Sequence, residues 1–301
     1  MPASLPLRLA LATSVLVPGI HPDDGYLAAC LRARGVEPVA CVWNDPAVDW
    51  AGFDAVLVRS TWDYFQHYAA FLRWLDRLPV PLINDRALVR WNSDKRYLLD
   101  LAGHGVDIIP TRLAAAAELP ACTRAMAGQE LIVKPTVSGT AWHTVRGRPG
   151  EPAFQAALAA LPPDFSYLVQ PFLAEVLEEG EWSLLFFGGH YSHAVIKRPA
   201  AGDFRVQSDF GGTSQLAEPP GHVLASAQRA LAATAALGHA DIAYARVDGV
   251  VAGGGFRLME LEMIEPYLHL GVRPEAAERF AAQLCERLAG QQTGRSELAR
   301  V

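Results

Sequence analysis

The first 84 residues alternate short apolar segments with helix-patterned ones, and this limits the fold more than any other feature of the chain. Residues 7–14 read as a buried strand, and 26–34 as an apolar-periodic helix stopped by Gly35. Residues 37–43 and 53–59 read as two further strands, 68–78 as a helix and 80–84 as a fourth strand. Strand–helix alternation predicts an open parallel sheet with helices on both faces. In such sheets ligands sit at the carboxyl ends of the strands.

Two loops fall at those ends: Asp23-Asp24, and Arg59-Ser60-Thr61-Trp62-Asp63-Tyr64. The second suits a small zwitterion, with an arginine for a carboxylate, an aspartate for an amine and a tryptophan as a wall. Asp23, Arg59, Thr61 and Asp63 are therefore candidate substrate contacts. The competing reading is a solvated loop that supplies a Thr or Asp cap to the next helix.

After Trp91, Asn92 or Ser93 can cap a helix running to about Ala102. Lys95 then lies in its first turn, where a cation is slightly unfavourable unless a phosphate is present. Taken alone, Lys95 reads better as an exposed surface lysine. Residues 114–117 read as the start of a helix. Residues 130–135 form a strand ending in Lys134-Pro135, followed by the small-residue loop Thr136-Val137-Ser138-Gly139-Thr140-Ala141. A lysine beside such a loop can clamp a phosphate, with backbone N–H groups folded over the anion. Neither G-x-x-x-x-G-K-[ST] nor G-x-G-x-x-G occurs in the chain. Residues 165–173 read as a strand running into a turn. Residues 182–187 and 191–197 form a hairpin on Gly188-Gly189. The long polar loop 197–213 is of the kind that carries function. His190 and His193 lie three apart on a strand, face opposite sides, and are discounted as metal ligands. A helix over 222–238 follows.

Residues 244–250 and 256–263 read as a second hairpin. Glu260 and Glu262 lie one residue apart on its apolar return strand and so face the same way. Two readings stand for that pair: an edge strand with its polar face in water, or ligands to a hard cation such as Mg²⁺. The hairpin also brings Asp248 near them, which favours the metal. A helix over 274–288 closes the fold, and a polar, frayed tail is expected at its end.

Composition narrows the function. The chain has 301 residues and a net charge of −6, which argues against a nucleic-acid partner held on a basic surface. Cys30, Cys41, Cys122 and Cys285 show no metal or disulfide spacing, as expected in a reducing compartment. No apolar run approaches a membrane span, so a cytoplasmic protein without membrane contact is expected.

The ordered series Lys95, Val133-Lys134-Pro135 with its small loop, Val169-Gln170-Pro171-Phe172-Leu173, Glu181, Asp248 and Glu260-Leu261-Glu262 resembles the ATP-grasp ligases. The segment from Lys197 to Gly212 resembles the glutamate-adding members. Arg59 to Tyr64 and Glu262-x-x-Glu265-Pro266-Tyr267-Leu268 resemble the D-cycloserine cyclo-ligase group, which closes O-ureido-D-serine to cycloserine with ATP. The resemblance implies an α/β fold of three lobes: an N-terminal parallel α/β lobe (1–92), a helix and small middle lid lobe (93–185), and a C-terminal lobe with an antiparallel sheet (186–291), then the tail 292–301.

It also implies roles. Lys95 and Lys134 would hold the α- and β-phosphates of ATP, under a loop containing Ser138, Gly139 and Thr140. Gln170, Pro171, Phe172 and Leu173 would pair with the adenine edge, and Glu181 would bind the ribose. Asp248, Glu260 and Glu262 would hold one or two Mg²⁺, although many members have Asn where this chain has Glu262. Arg205 would face the transferring phosphoryl group or the activated carboxylate. Glu265 would stand where metal site meets substrate pocket. Family members are often dimers or tetramers, so a homo-oligomer is expected.

The chemistry so implied is carboxylate–amine ligation through an acyl phosphate on an amino-acid-like substrate, intermolecular or ring-closing. Competing readings are a phosphoryl-transfer enzyme that releases its phosphorylated product, and a nucleotide-binding protein without catalysis.

Overall fold

The computed structural model describes residues 6–207 and 210–298, with side chains described as far as residue 290. The N-terminal lobe comprises β1 (Leu7–Thr13), α1 (Pro22–Ala33), β2 (Val36–Val42), β3 (Ala55–Ser60), α2 (Tyr68–Arg77) and β4 (Leu82–Ile83). Its strands lie in the order β2-β1-β3-β4, all parallel. Every residue of β3 is buried, as a strand covered on both faces requires. Asp23 and Asp24, expected in a loop, lie instead in the first turn of α1. His21 caps that helix by accepting the Asp23 N–H, and Pro22 fills a position where a missing N–H costs nothing.

Two short helices follow where one was expected: α3 (Arg86–Asn92) and α4 (Tyr97–Gly103). Ser93 is therefore the C-terminal cap of α3 rather than an N-cap, and Lys95 sits between the helices. The middle lobe holds β5 (Arg112–Ala115), α5 (Leu119–Arg124), β6 (Leu131–Pro135), β7 (Val145–Gly147), α6 (Pro152–Ala159), β8 (Ser166–Pro171) and the single turn α7 (Glu175–Glu178). Its antiparallel sheet runs β5-β8-β6-β7 over its own core, which includes Leu131, Phe154 and Tyr167. Ala114 and Ala115 end β5, because Ala114 is needed in the core against β8, while Ala116 opens a short 3-10 helix, Ala116–Glu118, that leads into α5.

The C-terminal lobe carries β9 (Glu181–Phe187), β10 (His190–Arg198), β11 (Thr213–Leu216), α8 (Gly221–Ala236), β12 (Tyr244–Ala252), β13 (Gly255–Glu262) and α9 (Glu275–Leu298). Its sheet is antiparallel, in the order β11-β10-β9-β12-β13. The expected boundary at 185/186 falls inside β9, and Leu88, Tyr97 and Leu98 pack into this lobe's core with Val223 and Val247. Those helices thus belong with the C-terminal sheet rather than with the lid. Phe280 and Leu284 of α9 share a core with Leu9 and Leu27, which ties the last helix to the first lobe. The helix runs on through part of the expected tail to Leu298, and residues 299–301 lie outside the described residues. No helix among the described residues is long and apolar enough to cross a membrane.

Candidate active site

A cavity of about 1030 Å³ opens where the three lobes meet. Its floor is one face of the C-terminal sheet. On that face Asp248 stands opposite Glu260, and Arg246 opposite Glu262, across β12 and β13. On the other flank of β12, Asp248 pairs in register with Ser183 of β9, and Glu181 pairs with Lys197 of β10. Alternation along each strand puts all of these side chains on one side. A register irregularity next to Asp248 leaves Met259 of β13 as the extra residue, and at the neighbouring Gly249 a Cβ would lie 2.4 Å from the Phe256 ring.

β13 is an edge strand, and its outward backbone would be costly to leave unpaired. Helices α3 and α4 supply the partners. Tyr97 accepts the Leu261 N–H at 2.8 Å, while Asn92 donates to Leu261 O and accepts from Met263 N. This fixes Glu260 and Glu262 on a rigid backbone. Asn92 is thus a strand clamp, not a helix cap.

The face is an alternation of charges. Lys197 bonds Glu181 at 2.5 Å and stands 3.6 Å from Asp248. Arg246 holds Asp248 at 2.9–3.0 Å and Glu262 at 2.5 Å. Ser183 donates a further hydrogen bond to Asp248. From the lid, Lys134 bonds Glu260 at 2.7 Å, and Lys95 stands 3.7 Å from the same carboxylate. Lys95 also donates to Ser138 O at 2.8 Å, fastening the small-residue loop.

These contacts set the protonation states. Burial pushes Glu260 up, but Lys134 and Lys95 outweigh it and hold the group at about 2. Burial acts on Asp248 in the same way, and Arg246 and Lys197 again hold it well below the usual carboxylate range. Glu262 goes the other way: burial, with Asp248 and Glu260 nearby, lifts it to about 7 against Arg246. Burial lifts Glu265 to about 8, with Glu262 adding to it. Burial also raises Glu181 despite Lys197.

Among the described residues no three His, Cys, Asp or Glu side chains converge as a ready-made metal cage. The acids are instead turned onto Lys134, Arg246 and Lys197, which supply the positive charge. The donor set nevertheless fits a hard divalent cation: Asp248, Glu260 and Glu262 offer only carboxylate oxygens, on neighbouring strands, at the cavity wall.

Gln170, Pro171, Phe172 and Leu173 line the cavity on the lid side. The Phe172 N–H is already bonded to Glu130 O. Ser138, Gly139 and Thr140 line it too, in a loop whose Thr140, Ala141 and His143 have positive φ. That loop is docked on the N-terminal lobe: Trp142 packs on Phe65, and a Cβ at Gly139 would lie 2.7 Å from the same ring. Arg205 lines the cavity with its guanidinium bonded to Asp203 and stacked on Phe210. Ser208 and Asp209 of that segment lie outside the described residues.

At the N-terminal end, Asp23 and Glu265 line the cavity together with Trp62 and Tyr267. Three residues expected to touch substrate do not reach it. Arg59 is buried as a strut, bonded to Asp24 at 2.9 Å and to Pro266 O at 2.8 Å. Asp63 accepts the Trp43 indole N–H, and Thr61 is fully buried. β3 ends at Ser60, and in the turn that follows it is Trp62 that lines the cavity instead. Lys197, Arg246 and Ser183 were assigned no role from sequence. Arg246 lies two residues before Asp248, so the alternation that linked Glu260 and Glu262 could have found it.

A family model described as the N-terminal domain of D-cycloserine synthetase DcsG matches residues 9–84. The cycloserine biosynthesis protein DcsG of Streptomyces lavendulae is 35% identical over 295 residues, covering 93% of this chain and 98% of that one. The crystal structure of D-cycloserine synthetase DcsG superposes with a TM-score of 0.84 at 35% identity, over 93% of this chain and 99% of that one. D-alanine–D-alanine ligase from Bacillus anthracis shares the fold at a TM-score of 0.67 and 16% identity, covering 97% of this chain and 99% of that one. The shared sequence extends over nearly the whole of both chains, so this chain is an ATP-dependent ligase that belongs to the ATP-grasp ligases, in the group of the D-cycloserine synthetases.

Proposed function

We propose that this ligase closes a ring within one amino-acid-like molecule, with O-ureido-D-serine as the substrate to test first. The observation that carries the reading is Glu260, held by Lys134 and Lys95 where the lid meets the acidic face of the C-terminal sheet. Two cations and three carboxylates on one cavity wall suit a triphosphate with its counter-ion. The other end of the cavity, walled by Asp23, Trp62, Glu265 and Tyr267, suits a small polar substrate.

Asp248, Glu260 and Glu262 would hold Mg²⁺, which neutralises charge on the transferring phosphoryl group when bound. Lys134 and Lys95 leave Glu260 for the phosphates, and the loop Ser138-Gly139-Thr140 closes over them. The substrate carboxylate takes the γ-phosphoryl group and becomes an acyl phosphate, a carbonyl with a competent leaving group. Nitrogen then attacks that carbonyl carbon, and phosphate leaves with the electron pair of the C–O bond. Water has to be kept out of this step, and the docked loop and lid serve that purpose. Arg205 faces the cavity as a further cation for the phosphoryl group. We also place the enzyme in the cytoplasm, where ATP is available.

The test is ADP release across a panel of amino acids that includes O-ureido-D-serine, with mass spectrometry of the products. A cyclic amide formed together with ADP and phosphate supports the reading. A stable phosphorylated product, or no substrate-stimulated ADP release across the panel, contradicts it.

A further inference from the structure

We propose that His269 accepts the proton from the attacking nitrogen in the second half of this reaction, and that His193 positions it. The inference rests on the ligase reading above, and it begins with an anomaly of the backbone. His269 has φ +53, in the left-handed region, yet it is only 6% exposed and lies in the cavity wall. A non-glycine residue persists there only when its surroundings enforce it, and such positions cluster at functional sites.

What enforces it is visible. The turn from Tyr267 to Gly271 is fastened at three points. Arg246 donates to Tyr267 O at 3.0 Å, and Asp23 accepts the Gly271 N–H at 2.8 Å. Between them, buried His193 bonds Leu268 O through Nε2 at 3.1 Å. The proton on that nitrogen is set by a chain of partners. Arg279 donates to Ser192 Oγ at 3.1 Å, so Ser192 turns its O–H to His193 Nδ1 at 3.0 Å. Nε2 must then carry the hydrogen and donate. The arrangement fixes the backbone on either side of His269 and leaves its ring unbonded. Among the described residues no hydrogen bond reaches the ring nitrogens, and the ring meets Tyr267 edge-on at 4.7 Å.

A base must be unprotonated with an open lone pair, and the cavity offers few such groups. Glu265 is protonated near neutrality, because burial and Glu262 lift it to about 8. Asp23 has its Oδ1 on the Gly271 N–H, and its Oδ2, though without a hydrogen-bond partner, is buried away from solvent. His269 is neutral: burial lowers it well below the usual imidazole range, and Arg246 of β12 and Lys197 and His193 of β10 add to this, against Asp248. The two strongest of those cations, Arg246 and Lys197, face the phosphate end. Anionic phosphate laid against them reverses their effect, so the imidazole gains basicity once nucleotide is bound. In the step itself the nitrogen lone pair forms the C–N bond and phosphate leaves with the C–O pair. The N–H proton passes to a ring nitrogen of His269 and from there to solvent.

The backbone makes the test favourable, since Gly and Asn both tolerate positive φ. His269→Gly and His269→Asn should fold with no loss in melting temperature. With ATP and O-ureido-D-serine, product formation should fall roughly 100-fold or more. Acyl phosphate trapped as a hydroxamate by hydroxylamine should persist. Imidazole added to His269→Gly should restore turnover, and His269→Asn should lose the acid limb of the wild-type kcat–pH profile. Wild-type turnover in both variants overturns the proposal, as does a parallel loss of trapped hydroxamate and product without imidazole rescue. Failure of the ligase reading shows differently, as no hydroxamate from the wild-type protein.

Discussion

Arg246 and Glu262 stand opposite each other on β12 and β13, and the guanidinium that bonds Glu262 at 2.5 Å also holds Asp248 at 2.9 Å. One arginine thus bridges two acids proposed to hold the metal. It also shows how this chain carries a glutamate at position 262: the charge lies against a buried cation. Glu262→Asn should therefore retain ADP release within roughly tenfold, because Arg246 keeps Asp248 as its partner. Glu260→Gln removes the acid shared by Lys134 and Lys95 and should lower kcat by about 1000-fold or more. Steady-state ADP release under a Mg²⁺ titration separates the two variants. Equal loss in both would break the distinction.

Among the described residues Lys197 is the one cation bonded to Glu181, and it also faces Asp248. Lys197→Met leaves buried carboxylate uncompensated, at a cost of about 3–5 kcal/mol. Melting in the absence of metal should show the loss, and Mg²⁺ should raise the melting temperature of the variant more than that of the wild type, by binding the freed acids.

Gly139 touches the Phe65 ring, and an added methyl would lie 2.7 Å from it. Gly139→Ala should lift the phosphate loop off the N-terminal lobe. The expected result is a KM for ATP raised several-fold with little change in melting temperature, since overpacking at a loop can relax outward. Adding Phe65→Leu should return KM toward the wild-type value.

Glu265 is held protonated by burial and by Glu262, at about 8. A carboxyl raised in the folded state binds its proton more tightly there than in the unfolded chain. Its contribution is present below the unfolded value and is lost as pH rises through the folded one. Asp248 and Glu260 act oppositely: their contribution is present above the unfolded value and lost in acid. The metal-free protein should thus be most stable near pH 5 and should lose stability toward pH 8. Glu265→Gln should flatten that upper limb in a series of thermal melts.

Much of this was legible in the sequence because it depends on period two. Strand alternation put Glu260 and Glu262 on one face, and the Ala252–Gly255 hairpin brought Asp248 near them. Its place directly opposite Glu260 depends on Met259 being an extra residue in β13, which no sequence pattern announced. The buried runs of β1 and β3 likewise announced a parallel sheet. Side-chain choices between competing partners were not legible. Arg59 looks like a carboxylate clamp in sequence, but Asp24 and Pro266 O, one of them 207 residues away, capture it. The break between α3 and α4 was hidden as well, because Asn92 serves the edge of β13 instead of capping a helix. His269 carried no local pattern at all. Its role arises from a turn fastened by Arg246, His193 and Asp23, three residues distant in the chain.

The central claim is that this enzyme activates a carboxylate by phosphorylating it. O-ureido-D-serine labelled with ¹⁸O in its carboxylate, turned over with ATP, tests it directly by mass spectrometry of the released phosphate. Acyl-phosphate chemistry predicts one ¹⁸O atom in each phosphate released, and turnover with unlabelled phosphate would contradict it.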